Sequence, residues 1–524
     1  MLDMFLAQAP AAPLEVPSVD YAAVLPMLIV FGVACIGVLV EAFAPKATRW
    51  GIQVTISLVA IIAAGVSLIL YATGASASKA GTTTFSGSIS VDRPSLFLWG
   101  TLLLLGLGAV FLIADRKVEP GGAFVAQAAI RPGTVQDRAQ AATTSQTEVF
   151  PLTLFALGGM MTFCAANDLL TMFIALEVLS LPLYLMCGLA RRRRLISQEA
   201  AVKYFLLGAF SSAFFLYGLA LLYGYADSVK LADIAHAAAG SDRSDTLLFA
   251  GLGLLVVGLL FKGSVGPFHT WTPDVYQGAP TPVTGFMAAC TKVAAFGAIL
   301  RVLSVGFSST SWEWRGVMWA VAIISMALGA ILGLTQTDVK RMIAYSSVAH
   351  AGFLLVGAIA MTEDGLSSTL FYLLAYGFTT LAAFGVVSLV RDSSGEATHL
   401  SAWAGLAKRS PVLAGVFTFL LLALAGIPLT SGFVGKFVVF SAALSDGMAP
   451  LVVVALIFSA VAAFFYLRVI VLMYFSEPAA DGPTVTVPGG FTTAAIALGV
   501  VVTLVLGVLP AFALDWAGAG GFAS

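Results

Sequence analysis

Charge is what this 524-residue chain has least of. Asp, Glu, Lys and Arg make up only 10% of it, against about a quarter of an ordinary soluble domain. The charges nearly cancel to −1, which excludes the basic face a nucleic-acid partner needs and offers nothing to an acidic one. Cysteine is scarce too. Cys35, Cys164, Cys187 and Cys290 lie inside apolar stretches with no CxxC pair and no Cys/His cluster. They read as packing residues, neither a disulfide framework nor a metal cage. A GxGxxG turn, a Walker loop, a haem or iron–sulfur spacing and a well-placed hydrolytic triad are also missing. Nothing here binds NADH, ATP or a redox centre, so any driving force must come from an ion gradient or from partner subunits.

What the chain does have is hydrophobicity. Apolar residues make up 59% of it and the mean hydropathy is +0.98. Apolar runs of about 18 or more residues recur from end to end, the mark of a polytopic α-helical membrane protein in a lipid bilayer. The alternating ten-residue segments of a β-barrel are not found. About fourteen spans are expected, near 21–43, 52–72, 94–114, 149–166, 168–190, 199–225, 247–275, 283–305, 312–335, 340–361, 366–391, 412–442, 450–475 and 490–513. The seventh and twelfth are too long and too interrupted for simple helices. Residues 1–20 carry Asp3, Glu15 and Asp20 but no Lys or Arg. They lack the basic start of a signal peptide and read as a short external tail.

Lys and Arg set the orientation. Loops after odd-numbered spans hold Lys46, Arg49, Arg116, Lys117, Arg131, Arg138, Arg191 to Arg194, Lys340, Arg341, Arg391, Lys408 and Arg409. Those after even-numbered spans hold Lys79, Arg93, Lys230, Arg243, Arg301 and Arg315. The positive-inside rule places the odd loops in the cytoplasm and both termini outside. The Arg191–Arg194 run reads as a topological anchor. Residues 115–148 form one long polar cytoplasmic loop to which the sequence assigns no role.

A repeat shows as a spacing. Pro267 interrupts span seven about 118 residues after span four begins at 149, and Pro428 interrupts span twelve about 116 residues after span nine begins at 312. Two five-helix blocks, 149–305 and 312–475, each with its fourth helix broken, are expected to be related by inverted topology because five is odd. They follow three N-terminal spans over 21–114 and precede a last span at 490–513. Discontinuous helices in inverted repeats mark conduction sites.

Three lysines stand where a membrane helix should carry no charge. Lys262 directly precedes Gly263, Gly266 and Pro267, which loosen span seven. Lys292 lies within span eight, and Lys436 follows Pro428 in span twelve. Glu177 sits at similar depth in span five. Each such group costs roughly 2.5–3.5 kcal/mol on insertion scales, so four together suggest a path for charge. Lysine suits proton transfer because low dielectric favours its neutral form, whereas arginine holds its proton. His269, just past the first break, is a candidate relay or a hydrogen-bonded interior group. Lys203 is nearer a helix end, where snorkelling competes with a path role. Lys340 and Arg341 read as cytoplasmic anchors, and His350 as a packing residue that a path could also use.

The segments LEVLSLPLY, EAAVKYFLLGAFSSAFFLYG, PFHTWTPDVYQGAPTPV, DVKRMIAYSSVAHAGFLLVG and GIPLTSGFVGKF resemble the antiporter-like subunits of respiratory complex I, most closely the subunit N class. The resemblance runs from about Val149 to Phe475, and HTWTPDVYQGAP is its most specific part. It implies a Glu177–Lys262 ion pair that responds to a neighbouring subunit, with Lys292 as central relay and Lys436 near the exit. It also implies a hydrated axis of charges and proton pumping across a bacterial inner membrane. FMN, iron–sulfur clusters and quinone would be held by partner subunits and no cofactor by this chain, with subunits of the M, K and J types as neighbours. The chain ends soon after its last span, so the lateral helix of the L type is not expected. An Mrp-type sodium/proton antiporter subunit and a purely structural membrane scaffold are the alternatives.

Overall fold

The computed structural model describes residues 19–74, 81–119, 121–125, 134–135, 146–240, 244–392, 395–478 and 482–523. Lys79, Arg131, Arg138 and Arg243, most of the 1–20 tail and most of the 115–148 loop lie outside the described residues. Three helices come first: α1 (Tyr21–Phe43), α2 (Lys46–Thr73) and α3 (Arg93–Ala114). The first block holds α4 (Val149–Ala165), α5 (Leu169–Cys187), α6 (Arg194–Ala226), a short unforeseen α7 (Leu231–Gly240), the pair α8 (Thr246–Lys262) and α9 (Trp271–Gly278), and α10 (Thr281–Gly306). The second holds α11 (Ser311–Leu334), α12 (Val339–Ile359), α13 (Glu363–Val387), the pair α14 (Pro411–Ala425) and α15 (Ser431–Ser445), and α16 (Ala449–Phe475). The chain continues through α17 (Gly490–Val508) and α18 (Ala511–Ala517). In both blocks the broken span is the fourth of five, as the proline spacing anticipated.

One span differs in a telling way. Span seven is followed by the unforeseen break in regularity of span eight, which is interrupted by π-helical turns at Met287–Thr291 and Val302–Gly306. The first of these ends immediately before Lys292. Such turns widen the backbone ring by one residue and rotate the side chains that follow, and they are frequent at functional sites. Hydropathy carries no trace of them.

Short acidic and hydroxyl side chains start many of the helices. Asp20, Asp92, Asp168, Asp338 and Thr362 each accept a hydrogen bond from a backbone N–H in the first turn. They satisfy donors that have no intrahelical partner. Between helices, small residues permit close approach, since lipid tails compete with any purely hydrophobic attraction. A Cβ at Gly329 would lie 2.3 Å from the Ala349 amide nitrogen, so α11 and α12 meet backbone to backbone. Helices α10, α12 and α13 are almost wholly enclosed, whereas α1, α2, α6, α11, α16 and α17 turn broad apolar faces outward.

The loops sort into two faces. Isolated bridges join Ile89 to Ala166 and Asp168 to Lys230 on the even-loop face, and Phe124 to Ala190 and Asp338 to His399 on the odd-loop face. Short strands Val390–Asp392, Gly395–Glu396 and Thr484–Val485 form one small sheet among the odd loops. This pairing agrees with the alternation of spans. Arg301 is the exception: counted with the even loops although it lies within the expected span 283–305, it is fully buried in α10 and salt-bridged to Asp92 at 2.9 Å. Its charge was affordable to the span because a carboxylate on the neighbouring helix cap neutralises it. Of the cysteines, Cys164, Cys187 and Cys290 are buried as expected, but Cys35 is exposed on α1.

Candidate functional site

The first break covers 263–270. Ser264 takes a left-handed backbone (φ 58°), and the Gly266 N–H, lost to the helix ladder, is caught by Ser325 Oγ at 3.0 Å. Ser325 Oγ itself donates to the Val348 carbonyl at 2.8 Å, so α11 and α12 clamp the broken segment from outside. Trp271 spans the break and donates its indole N–H to the Phe261 carbonyl at 2.9 Å. The second break covers 426–430. Gly426 ends α14 in the left-handed region (φ 87°), and Leu429 also has a positive φ of 70°. Thr430 then caps α15 by accepting from the Phe433 N–H at 3.4 Å. Both candidate breakers, Pro267 and Pro428, lie inside these intervals, as do Gly263 and Gly266.

All three lysines are buried, and none has a carboxylate within 4 Å among the described residues. Lys262, the last residue of α8, donates to Ser180 Oγ at 2.7 Å and to Tyr204 OH at 2.9 Å. Lys292 donates to the Gly263 carbonyl at 3.1 Å and the Ser347 carbonyl at 2.8 Å. Lys436 donates to the carbonyls of Leu424 at 3.3 Å and Ala425 at 2.8 Å, and to Ser459 Oγ at 2.9 Å. The backbone explains this pattern. A helix leaves its last carbonyls without partners, and an ammonium group is a favourable cap for them. Each break creates such an end in the interior, and a lysine occupies it.

The lysines are connected. Gly263, whose carbonyl holds Lys292, is the residue after Lys262. Lys292 Nζ lies 5.6 Å from the Tyr376 ring, which is 4.9 Å from the His350 ring. His350 Nδ1 is 2.7 Å from Tyr372 OH and its Nε2 is 3.3 Å from Tyr466 OH. One turn further along α12, Phe353 lies under Lys436, 5.0 Å from Nζ to the ring centre. The line therefore runs Lys262, Lys292, His350, Lys436. Buried hydroxyls of Ser347, Tyr376 and Thr380 cluster beside it with no hydrogen-bond partner within 3.5 Å.

The structure bears on three sequence expectations. Glu177 and Lys262 form no salt bridge: the Glu177 Oε1 atom is buried without a hydrogen-bond partner, and Ser180, one turn further along α5, receives the lysine instead. Lys203 does not join the line. It is partly exposed and bonded to Glu199 at 2.7 Å and Asp274 at 2.6 Å, which fits a snorkelling residue at a helix end. His350, read from the sequence as a packing residue that a path could also use, sits between two of the lysines. The signal for it was a histidine about ten residues into an apolar span, with no acidic neighbour to account for it. His269 is buried in the first break, 6.0 Å from the Tyr345 ring, with Nδ1 unpaired and no bond to a lysine.

Residues 166–465 match the family described as NADH:quinone oxidoreductase/Mrp antiporter, transmembrane. The NADH-quinone oxidoreductase subunit N of Saccharopolyspora erythraea is 76% identical over 97% of this chain and 99% of its own length. The chain belongs to the subunit N family of NADH-quinone oxidoreductases. A chain of respiratory complex I from Thermus thermophilus, solved with bound aureothin, superposes with a TM-score of 0.76 at 33% identity, over 95% of this chain and all of that one. A chain of the Mrp complex from a Dietzia species has a TM-score of 0.78 at 22% identity, over 95% and 96% of the two chains, a likeness of fold. The breaks and the buried lysine line of this subunit N family member all fall inside the matched region.

Proposed function

We propose that this chain is a proton-translocating membrane subunit of NADH-quinone oxidoreductase, pumping outward while other subunits oxidise NADH and reduce quinone. One observation carries the proposal. Three buried lysines, none with a carboxylate within 4 Å among the described residues, cap or flank helix ends created by two internal breaks and are linked through His350. A charge kept in low dielectric without a counter-ion is expensive, and neutral lysine is its ready alternative. Such groups suit a relay that loads and releases protons, and the unpaired hydroxyls beside them supply the polar contacts that bridging water needs. Family membership supports the same reading and disfavours a fossil scaffold.

In this reading a proton passes from Lys262 to Lys292, then through His350 to Lys436 and outward. Glu177 is the input. It lies beside the exposed apolar stripe of Ile174, Leu181 and Leu185 on α5, where a lipid-facing carboxylate would be costly. A neighbouring subunit covering that stripe would set the charge on Glu177 and, through Ser180, bias Lys262. Subunits of the M, K and J types are the proposed neighbours, and FMN, iron–sulfur clusters and quinone belong to partners. The proposed location is a bacterial inner membrane with both termini outside. The proposed division is 21–114, then repeats 149–305 and 312–475, then 490–513.

Lys262→Ala in the assembled complex is the test. NADH-driven proton uptake by inverted vesicles should fall more than tenfold, and a normal proton-to-electron ratio would overturn the proposal. Flavin and iron–sulfur clusters in the purified assembly should separate this reading from an Mrp-type antiporter, whose assembly would lack them.

A further inference from the structure

The Arg191–Arg194 run and the start of the 115–148 loop do more than orient the chain. Residues 121–125 lie as a strap across the loop after α5. The Val125 N–H donates to the Leu189 carbonyl at 2.8 Å, and the Arg191 N–H to the Ala123 carbonyl at 2.9 Å. The buried Arg191 guanidinium also donates to the carbonyls of Gly121, Gly122 and Phe124. Glu119, at the head of the strap, binds Arg192 Nε at 2.9 Å and also pairs with Arg391.

Arg391 has a closer natural partner. In the small sheet it stands directly opposite Glu396, and opposite charges on facing strand positions normally pair. Here they do not. Arg391 is held by Glu119, and Glu396 turns instead to Thr281 Oγ1 at 2.5 Å and Lys340 Nζ at 3.5 Å. Lys340, read from the sequence as a cytoplasmic anchor, is 1% exposed and donates to the Ala279 carbonyl at 2.9 Å, just past the end of α9. It lies on α12 seven residues before Ser347, whose carbonyl holds Lys292. That is two turns along one face, about 10 Å at 1.5 Å per residue. Small cavities of about 30 Å³ and about 20 Å³ reach Glu119, Arg391 and Glu396, the larger one also Lys340. Each exceeds the roughly 10–15 Å³ that one water requires.

We propose that Glu396 and Lys340 form the proton-loading site at the odd-loop mouth, with Glu119 as the positioning residue that keeps Glu396 available by holding Arg391. A proton from water adds to the Glu396 carboxylate. When Lys340 is neutral, the Glu396 O–H bond breaks and an N–H bond forms at Lys340 Nζ, restoring a carboxylate–ammonium pair beside the buried line. Without Glu119, Arg391 turns to its cross-strand neighbour and occupies the carboxylate that Lys340 needs. The charged groups around Glu396 are Lys340, Arg391, Glu119, Asp115, Arg191, Arg192 and Arg193. This inference rests on the pumping function proposed above.

The experiment compares E396Q, E119Q and the double variant E119Q/R391Q with K262A in the whole complex, as the initial rate of NADH-driven proton uptake per assembled complex. E396Q should lose about tenfold and E119Q about threefold. The double variant should return to within twofold of the parent, because the arginine that competes for Glu396 is gone. A strap that is merely structural would make the double variant worse than E119Q, and that result overturns the proposal. Normal pumping by E396Q alongside an inactive K262A also overturns it while leaving the relay intact. Normal pumping by K262A defeats the relay itself. If E396Q reduces assembly, the E119Q pair decides, since it leaves Glu396 and Lys340 in place.

Discussion

The two helix breaks solve one problem with differently sourced parts. Each exposes the last carbonyls of a half-helix inside the membrane domain, and each has those carbonyls capped by a lysine. At the second break the cap, Lys436, comes from α15, the other half of the same broken span. At the first the cap is Lys292 from α10, the next span, and the break has a second lysine, Lys262, bonded only to side-chain hydroxyls. The second break is therefore capped from within its own span, with Ser459 of α16 as one further partner, while the first takes its cap from the next span. Ser325 of α11 clamps it, α12 shares Lys292 with it, and α5 and α6 hold Lys262. A site that must receive a signal from outside the chain is better served by the second kind of construction.

The comparison can be broken most decisively at the lysines. Lys262→Arg and Lys436→Arg keep the positive charge but remove the ability to give up a proton at ordinary pH. Both should reduce NADH-driven proton uptake more than tenfold, as alanine would. An arginine variant that pumps at half the parent rate would mean the charge, not the proton, is what each break needs.

A smaller effect separates the two sites. The partners of Lys262 are hydroxyls that mutation can remove, whereas two of the three partners of Lys436 are backbone carbonyls. The double variant Ser180→Ala/Tyr204→Phe should slow pumping about tenfold, a barrier change near 1.4 kcal/mol. Ser459→Ala should stay within about twofold. Equal losses in uptake rate at the two sites would show that the hydroxyls do not define the first one.

The least effect is on stability. Ser325→Ala orphans the buried Gly266 N–H, at a cost of about 1–3 kcal/mol. Thr430→Ala removes a helix cap at about 1 kcal/mol. The unfolding midpoint of the purified complex should fall further for Ser325→Ala, and the reverse order would mean that the first break is not clamped from outside.

The breaks were legible because proline and glycine act locally. Pro26 and Pro182 are tolerated inside α1 and α5, but Pro267 and Pro428 each stand among glycines that loosen the same turn, and their even spacing exposed the repeat. The buried lysines were legible because a charge in an apolar run is conspicuous. Failures came where meaning depends on neighbours distant in sequence. Arg301 looked like a loop cation because nothing nearby neutralises it, and its partner Asp92 is 209 residues away. Lys340 looked like an anchor beside Arg341, yet the two part company: Arg341 pairs with Asp274 near the surface, while Lys340 turns inward to Ala279 and Glu396. For Lys203 the sequence left snorkelling and a path role side by side, and its partners Glu199 and Asp274 are those of a residue that reaches outward.

The sequence by itself determined the class of the protein, the order of its main apolar helices, the places where two spans break and the lysines that the membrane must accommodate. These follow from transfer energies and backbone sterics, which act residue by residue. Only the tertiary structure decided who partners whom. It gave Lys262 hydroxyls instead of Glu177, put His350 between Lys292 and Lys436, and turned Glu396 toward Lys340 by giving Arg391 to Glu119. A buried charge takes whichever partner the packed helices bring within about 3 Å, and that is a property of the assembled bundle.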